Sequence, residues 1–169
     1  MNALLRKCGT FLRMPIREKF WFFWIWLISG PIRAALLLLP FRKMAPMLGE
    51  HCSNLQLAAI ASDEQKQQAW RIGRIVELAA SYTPWESKCL VQACMASILL
   101  RRYGIPYVIH LGVTRGDGVQ DALKAHAWLS VGPWIVTGRD GHRTFTIVST
   151  FVSPGLFATI KDQEIAHAS

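Results

Sequence analysis

Apolar residues are spaced in two ways along this chain, with a helical period before Gly104 and a strand-like one after it. Ile72, Ile75, Val76 and Ala79 fall on one face of a helix. Ser62-Asp-Glu-Gln65 ahead of them matches a capping box, in which the hydroxyl and the Gln side chain satisfy first-turn amides reciprocally. That helix therefore starts near Ser62, and it ends before Pro84 because the residue preceding a proline avoids helical angles. A second helix is predicted from about Ser87 to Tyr103. Arg101 and Arg102 suit the negative end of its dipole, and Gly104 supplies a left-handed cap. Beyond it, Tyr107–Val113, His126–Val131, Trp134–Thr137 and Thr144–Phe151 are short, rich in Val, Ile, Trp and Phe, and separated by Gly, Pro or Asp turns. They read as four strands, with a loop at Thr114–Lys124. Helices followed by strands give an α+β fold with an antiparallel sheet.

The first 50 residues predict two short helices, broken from each other by Gly30-Pro31, the second stopped or kinked at Pro40. Residues 51–61 read as a connection. This divides the chain into 1–53, apolar and basic helices with a docking or accessory role, and 54–169, the domain that carries the chemistry. The stretch Phe20–Pro40 is apolar enough to need a membrane test. Its uninterrupted run, Phe20–Ile28, is well short of the roughly 20 residues a bilayer span requires. Arg17 and Lys19 resemble a signal-peptide start, but no small-residue cleavage site follows. Packing on the domain or a partner is the preferred reading, with association at a membrane surface next and insertion last.

Composition sharpens this picture. Hydrophobic residues make up 51% of the 169 and charged residues 18%, enough to bury a core and too apolar for a disordered chain. The net charge of +8 is unevenly placed: residues 1–50 hold +6 of it and the remainder is close to neutral. No nucleic-acid motif accompanies the basic segment, so nucleic acid is not expected as a partner. The four cysteines, Cys8, Cys52, Cys89 and Cys94, form no CxxC pair and no zinc spacing, which fits reduced thiols in a cytoplasmic protein. Neither a metal site nor a glycine-rich phosphate loop is present, so no cofactor is expected.

Cys89 falls in the first turn of its predicted helix, two residues after Ser87 as N-cap. Free amides and the positive dipole end lower a thiol's pKa there, and the same amides can stabilise an oxyanion. A thiolate nucleophile needs a histidine, and the histidine needs an orienting group. His126 opens one predicted strand and Asp140 follows the next. With Val131 opposite Ile135, His126 faces Asp140; with a tighter turn, Val131 faces Trp134 and His126 faces Arg139. Taken singly, each residue has a plainer role. Cys89 would be a small buried hydrophobe, a role that Cys94 fits better. His126 would be a hydrogen-bonded strand histidine and Asp140 a turn residue. His110 and His142 remain alternative partners, Asp117 and Asp121 weaker acids, and Trp85 and Trp128 core residues or pocket walls.

Trp85-x-x-x-Cys89-Leu90, Leu99-Leu-Arg-Arg-Tyr-Gly104-Ile, Leu111-Gly-Val113, Ala125-His-Ala-Trp128 and Phe145–Phe151 together resemble the leader peptidases of microcin and lasso-peptide biosynthesis. These are transglutaminase-like cysteine proteases, and the resemblance spans about Tyr82–Phe151. It implies a papain/transglutaminase-like core, with Cys89 as nucleophile, His126 as base and acid, and Asp140 as orienter. The implied reaction removes the leader from a ribosomally made precursor peptide. The N-terminal segment lacks the strand-rich recognition domain some members carry. The resemblance is therefore to the split form, which works with a separate leader-recognition protein and alongside a lasso cyclase. Two rivals remain: an amide acyltransferase or transglutaminase on the same fold, and a non-catalytic scaffold of the biosynthetic complex.

Overall fold

The computed structural model describes residues 15–52, 57–85, 87–115 and 123–159. Two N-terminal helices, α1 (Ile16–Leu38) and α2 (Phe41–Leu48), lead into a short strand, β1 (Glu50–His51). Helices α3 (Asp63–Ala80) and α4 (Cys89–Arg102) follow. Then come β2 (Val108–Arg115), β3 (Leu123–Val131), β4 (Trp134–Thr137), a 3-10 turn at His142–Thr144, β5 (Thr146–Val152) and a short helix at 154–159. The strands form one antiparallel sheet in the order β1-β5-β2-β3-β4. The expected mixed fold of helices and antiparallel sheet is what forms.

Local signals set the ends of α3 and α4. Ser62 Oγ accepts from Gln65 N, and Gln65 Oε1 accepts from Ser62 N at 3.0 Å, closing the capping box on α3. At the other end of α4, Gly104 has φ 62°, its amide donates to Arg101 O and that of Ile105 donates to Leu100 O. That pair of bonds is a Schellman cap and satisfies carbonyls the helix cannot.

The predicted break at Gly30-Pro31 does not occur, because α1 runs unbroken for 23 residues through Pro31. Proline removes one amide donor and crowds the preceding turn, but packing outweighs that cost here. Trp21, Ile25, Ser29 and Ile32 lie along one side of α1, buried against α3 and α4. Gly30 is small enough to let the Trp85 ring approach: a Cβ there would sit 3.1 Å from it. Residues on both sides of position 53 share one core, in which Trp21, Ile25, Ile32 and Leu48 join Ile72, Val76, Met95, Leu100 and Leu129. The unbroken helix also changes the membrane reading. By length and a mean hydropathy of 1.5, α1 could cross a bilayer, although core helices and signal sequences pass the same test.

Arg101 fixes how α4 lies on the sheet. Its Nε donates to Tyr107 Oη at 2.6 Å and its terminal nitrogen to Met47 O at 2.7 Å, while Tyr107 Oη donates to Leu48 O. The C-terminal end of α4 therefore sits where β2 begins. At 1.5 Å per residue, Cys89 lies about 20 Å away, toward the end of the sheet where Gly112 faces His126.

Candidate functional site

Cys89 is the first residue of α4 and is half-buried. The N-cap is Lys88 and not Ser87, and the Lys88 side chain makes no cap hydrogen bond. Ser87 Oγ instead shares a 2.9 Å hydrogen bond with Thr83 Oγ1. Among the described residues the first-turn amides keep no side-chain acceptor, which leaves them available beside the thiol. Cys94, one turn further in, is buried, and burial pushes its thiol up to about 12.

β3 alternates in which face each residue serves. Ile109, Leu129 and Val131 belong to the core that includes α4, whereas Trp128 and His126 stack on each other with ring centroids 5.9 Å apart on the opposite face. Directly across in β2, Gly112 faces His126 and His110 faces Trp128. Gly112 makes this cluster fit: a Cβ there would lie 2.8 Å from Phe145 Cβ and 2.9 Å from the Trp128 ring. Phe145 closes on His126 at 5.0 Å, and His142 approaches Trp128 at 6.0 Å.

His126 is held by a backbone group. Its Nε2 lies 2.9 Å from the carbonyl of Gly138, which orients the ring and leaves Nδ1 as the nitrogen for a reaction partner. Gly138 has φ 71°, and a Cβ there would come 2.3 Å from the Ala127 carbonyl, so only glycine suits the position. The sequence reading missed this residue. The signal for it is the glycine that opens the Gly138-Arg139-Asp140-Gly141 turn, where both glycines have positive φ. Asp140 itself is exposed, two residues beyond Gly138.

Both hairpin registers considered from sequence occur. Val131 pairs with Trp134 across a two-residue turn, and a bulge then shifts the ladder so that Leu129 pairs with Thr137. Val136 is the extra residue, and its carbonyl abuts Gly73 of α3. The shifted register is the one that aims the chain beyond Thr137 toward His126, and Gly138 arrives there before Asp140.

Cys89 and His126 thus sit toward the same end of the sheet, with the His126 ring on the face turned away from α4. No hydrogen bond joins Cys89, His126 and Asp140 to one another among the described residues. His110 is 3% exposed, stacked on Trp128 at 5.4 Å, and burial pushes its pKa down to about 4. His142 Nδ1 lies 2.6 Å from Arg139 O. Trp85 packs against Gly30 and, at 6.4 Å, against Trp26 of α1, away from the His126 cluster. Asp117 and Asp121 lie outside the described residues. No group of three potential metal ligands occurs among the described residues.

No curated protein and no solved structure matches the chain. A family model does: that of the transglutaminase-like superfamily matches residues 35–150, from the end of α1 through most of β5 and well over half of the chain. With a cysteine heading α4 and a histidine fixed on β3 of the adjoining antiparallel sheet, the chain belongs to the transglutaminase-like superfamily, whose fold supports cysteine-protease or acyltransferase chemistry.

Proposed function

We propose that the protein is a cysteine peptidase that removes the leader from a lasso-peptide precursor. The observation that carries the reading is Cys89 as the first residue of α4, its first-turn amides without a side-chain acceptor among the described residues, within the stretch that matches the superfamily. Cys89 passes its thiol proton to His126, attacks the scissile carbonyl and forms a C–S bond, while the first-turn amides receive the oxyanion. The tetrahedral species collapses to a thioester as the C–N bond breaks, and His126 gives the proton to the leaving amine. Water, deprotonated by His126, then releases the leader as a carboxylate and regenerates the thiol. Gly138 O holds Nε2, and Asp140, two residues on, is the candidate orienter of the imidazolium. This chemistry requires the exposed start of β3, Leu123–Ala125, to turn so that His126 Nδ1 meets the thiol.

The precursor peptide is the substrate, and a separate leader-recognition protein is the expected partner, with the lasso cyclase taking the product. The side of α1 left uncovered, with Phe20, Phe23, Trp24 and Leu27 exposed, offers them a docking surface. Work in the cytoplasm with contact at a membrane surface is compatible with the same helix.

Mass spectrometry of the precursor and its recognition protein with this chain tests the assignment: one cut at the leader–core junction is expected. Adding excess primary amine separates hydrolysis from acyl transfer, since an amide adduct on the leader would move the assignment to transferase. The separation of His126 from α4 favours one further reading, a non-catalytic scaffold, for which no cut would form under any condition.

A further inference from the structure

The outer face of the sheet carries a groove of about 1090 Å³ that reaches over the β4 edge to Trp70 of α3. It is large enough for several residues of an extended peptide, slightly above the roughly 300–1,000 Å³ of most small-ligand sites. Trp128, Trp134 and Phe145 supply flat apolar walls. Arg139 and Arg143 also line it, and no Asp or Glu among the described residues does. The Arg139 guanidinium stacks on Trp70 at 4.6 Å and donates once, to Ile135 O at 3.3 Å. Neither arginine has an ion-pair partner among the described residues. Beneath the walls lies His110, 3% exposed, its ring nitrogens covered and without a hydrogen-bond partner among the described residues.

We propose that this groove binds a segment of peptide in which a carboxylate side chain stands next to an aromatic one. The carboxylate accepts from Arg143 and Arg139 in the planar geometry guanidinium favours. The aromatic ring lies against Trp128 and Phe145. Because Trp128 and Phe145 also flank His126, a chain seated here runs past the candidate base. The proposal rests on the peptide-substrate reading and deepens it by naming which residues the substrate carries.

The test is direct binding to full-length Cys89→Ala protein, which cannot turn over. Isothermal titration with acetyl-Gly-Gly-Phe-Glu-Gly-Gly-amide should give a Kd about ten-fold tighter than with Gln in place of Glu, the usual effect of one charge-assisted bond pair. Replacing Phe by Ala should weaken binding to a similar degree. Arg143→Gln, at an exposed position, should leave the melting temperature unchanged and abolish the Glu preference. Equal affinities for the Glu and Gln peptides, or a preference that survives Arg143→Gln, would overturn the proposal. So would tighter binding of AMP, which also joins an anion to a ring. Failure of leader cleavage with the Glu preference intact would remove the peptidase reading and leave the groove standing. Cleavage without the preference would do the reverse.

Discussion

Gly138 holds the candidate base at the level of a single residue. Its carbonyl takes His126 Nε2, and its φ of 71° and the nearby Ala127 carbonyl, which an added Cβ would meet at 2.3 Å, leave no room for a side chain. Gly138→Ala should therefore cost about 1–3 kcal/mol in urea unfolding, through strain at a left-handed position and displacement of β3. A loss under about 0.5 kcal/mol would show that the turn is free to re-form. The cysteines divide by environment. Under iodoacetamide at neutral pH, peptide mapping should find Cys89 modified ahead of the half-buried Cys52, and Cys94 untouched while the fold holds, since burial pushes its thiol up to about 12. Modification of Cys52 and Cys89 at the same rate would show that the start of α4 confers nothing on the thiol.

Elements whose boundaries are set locally were legible in the sequence. The capping box at Ser62 and the glycine cap at Gly104 each need only neighbours within one turn, and both form. Elements decided by distant contacts were not. Gly30-Pro31 reads as a break, yet α1 passes through it because Trp21, Ile25 and Ile32 gain burial against α3 and α4. Ile25→Ala should thus destabilise by about 2–5 kcal/mol in thermal or urea unfolding, as for a fully buried aliphatic side chain. Leu27→Ser, at an exposed position of the same helix, should fall within about 0.5 kcal/mol of wild type. Equal losses at both positions would mean that α1 does not use the face described. The β3–β4 hairpin was legible only as two alternatives, because the bulge at Val136 that reconciles them depends on the close approach of Gly73 in α3.

At the scale of the whole molecule, the order of helices and strands, together with the resemblance, pointed to the fold class, which the superfamily match supports. The face on which each candidate residue lies could not be read the same way. Strand alternation was visible in the sequence, but which set of residues meets α4 depends on how the sheet is covered. Leu129 and Val131 meet the helices; His126, Trp128 and His110 do not. The molecule therefore has two candidate surfaces: a thiol at the start of α4, and an aromatic, arginine-lined groove that runs from the β3–β4 turn toward Phe145 beside His126. Movement at the start of β3 would join them, and the test is whether the thiol reacts with a peptide.

The measurement that tests this most directly is an intact-mass time course with precursor and recognition protein, run in parallel on wild type, Cys89→Ala and His126→Ala. The account predicts one leader–core cut by wild type, none by Cys89→Ala, and a rate lowered at least about 100-fold in His126→Ala. Equal cutting by wild type and Cys89→Ala, or no cutting by folded wild type with both components present, would contradict it.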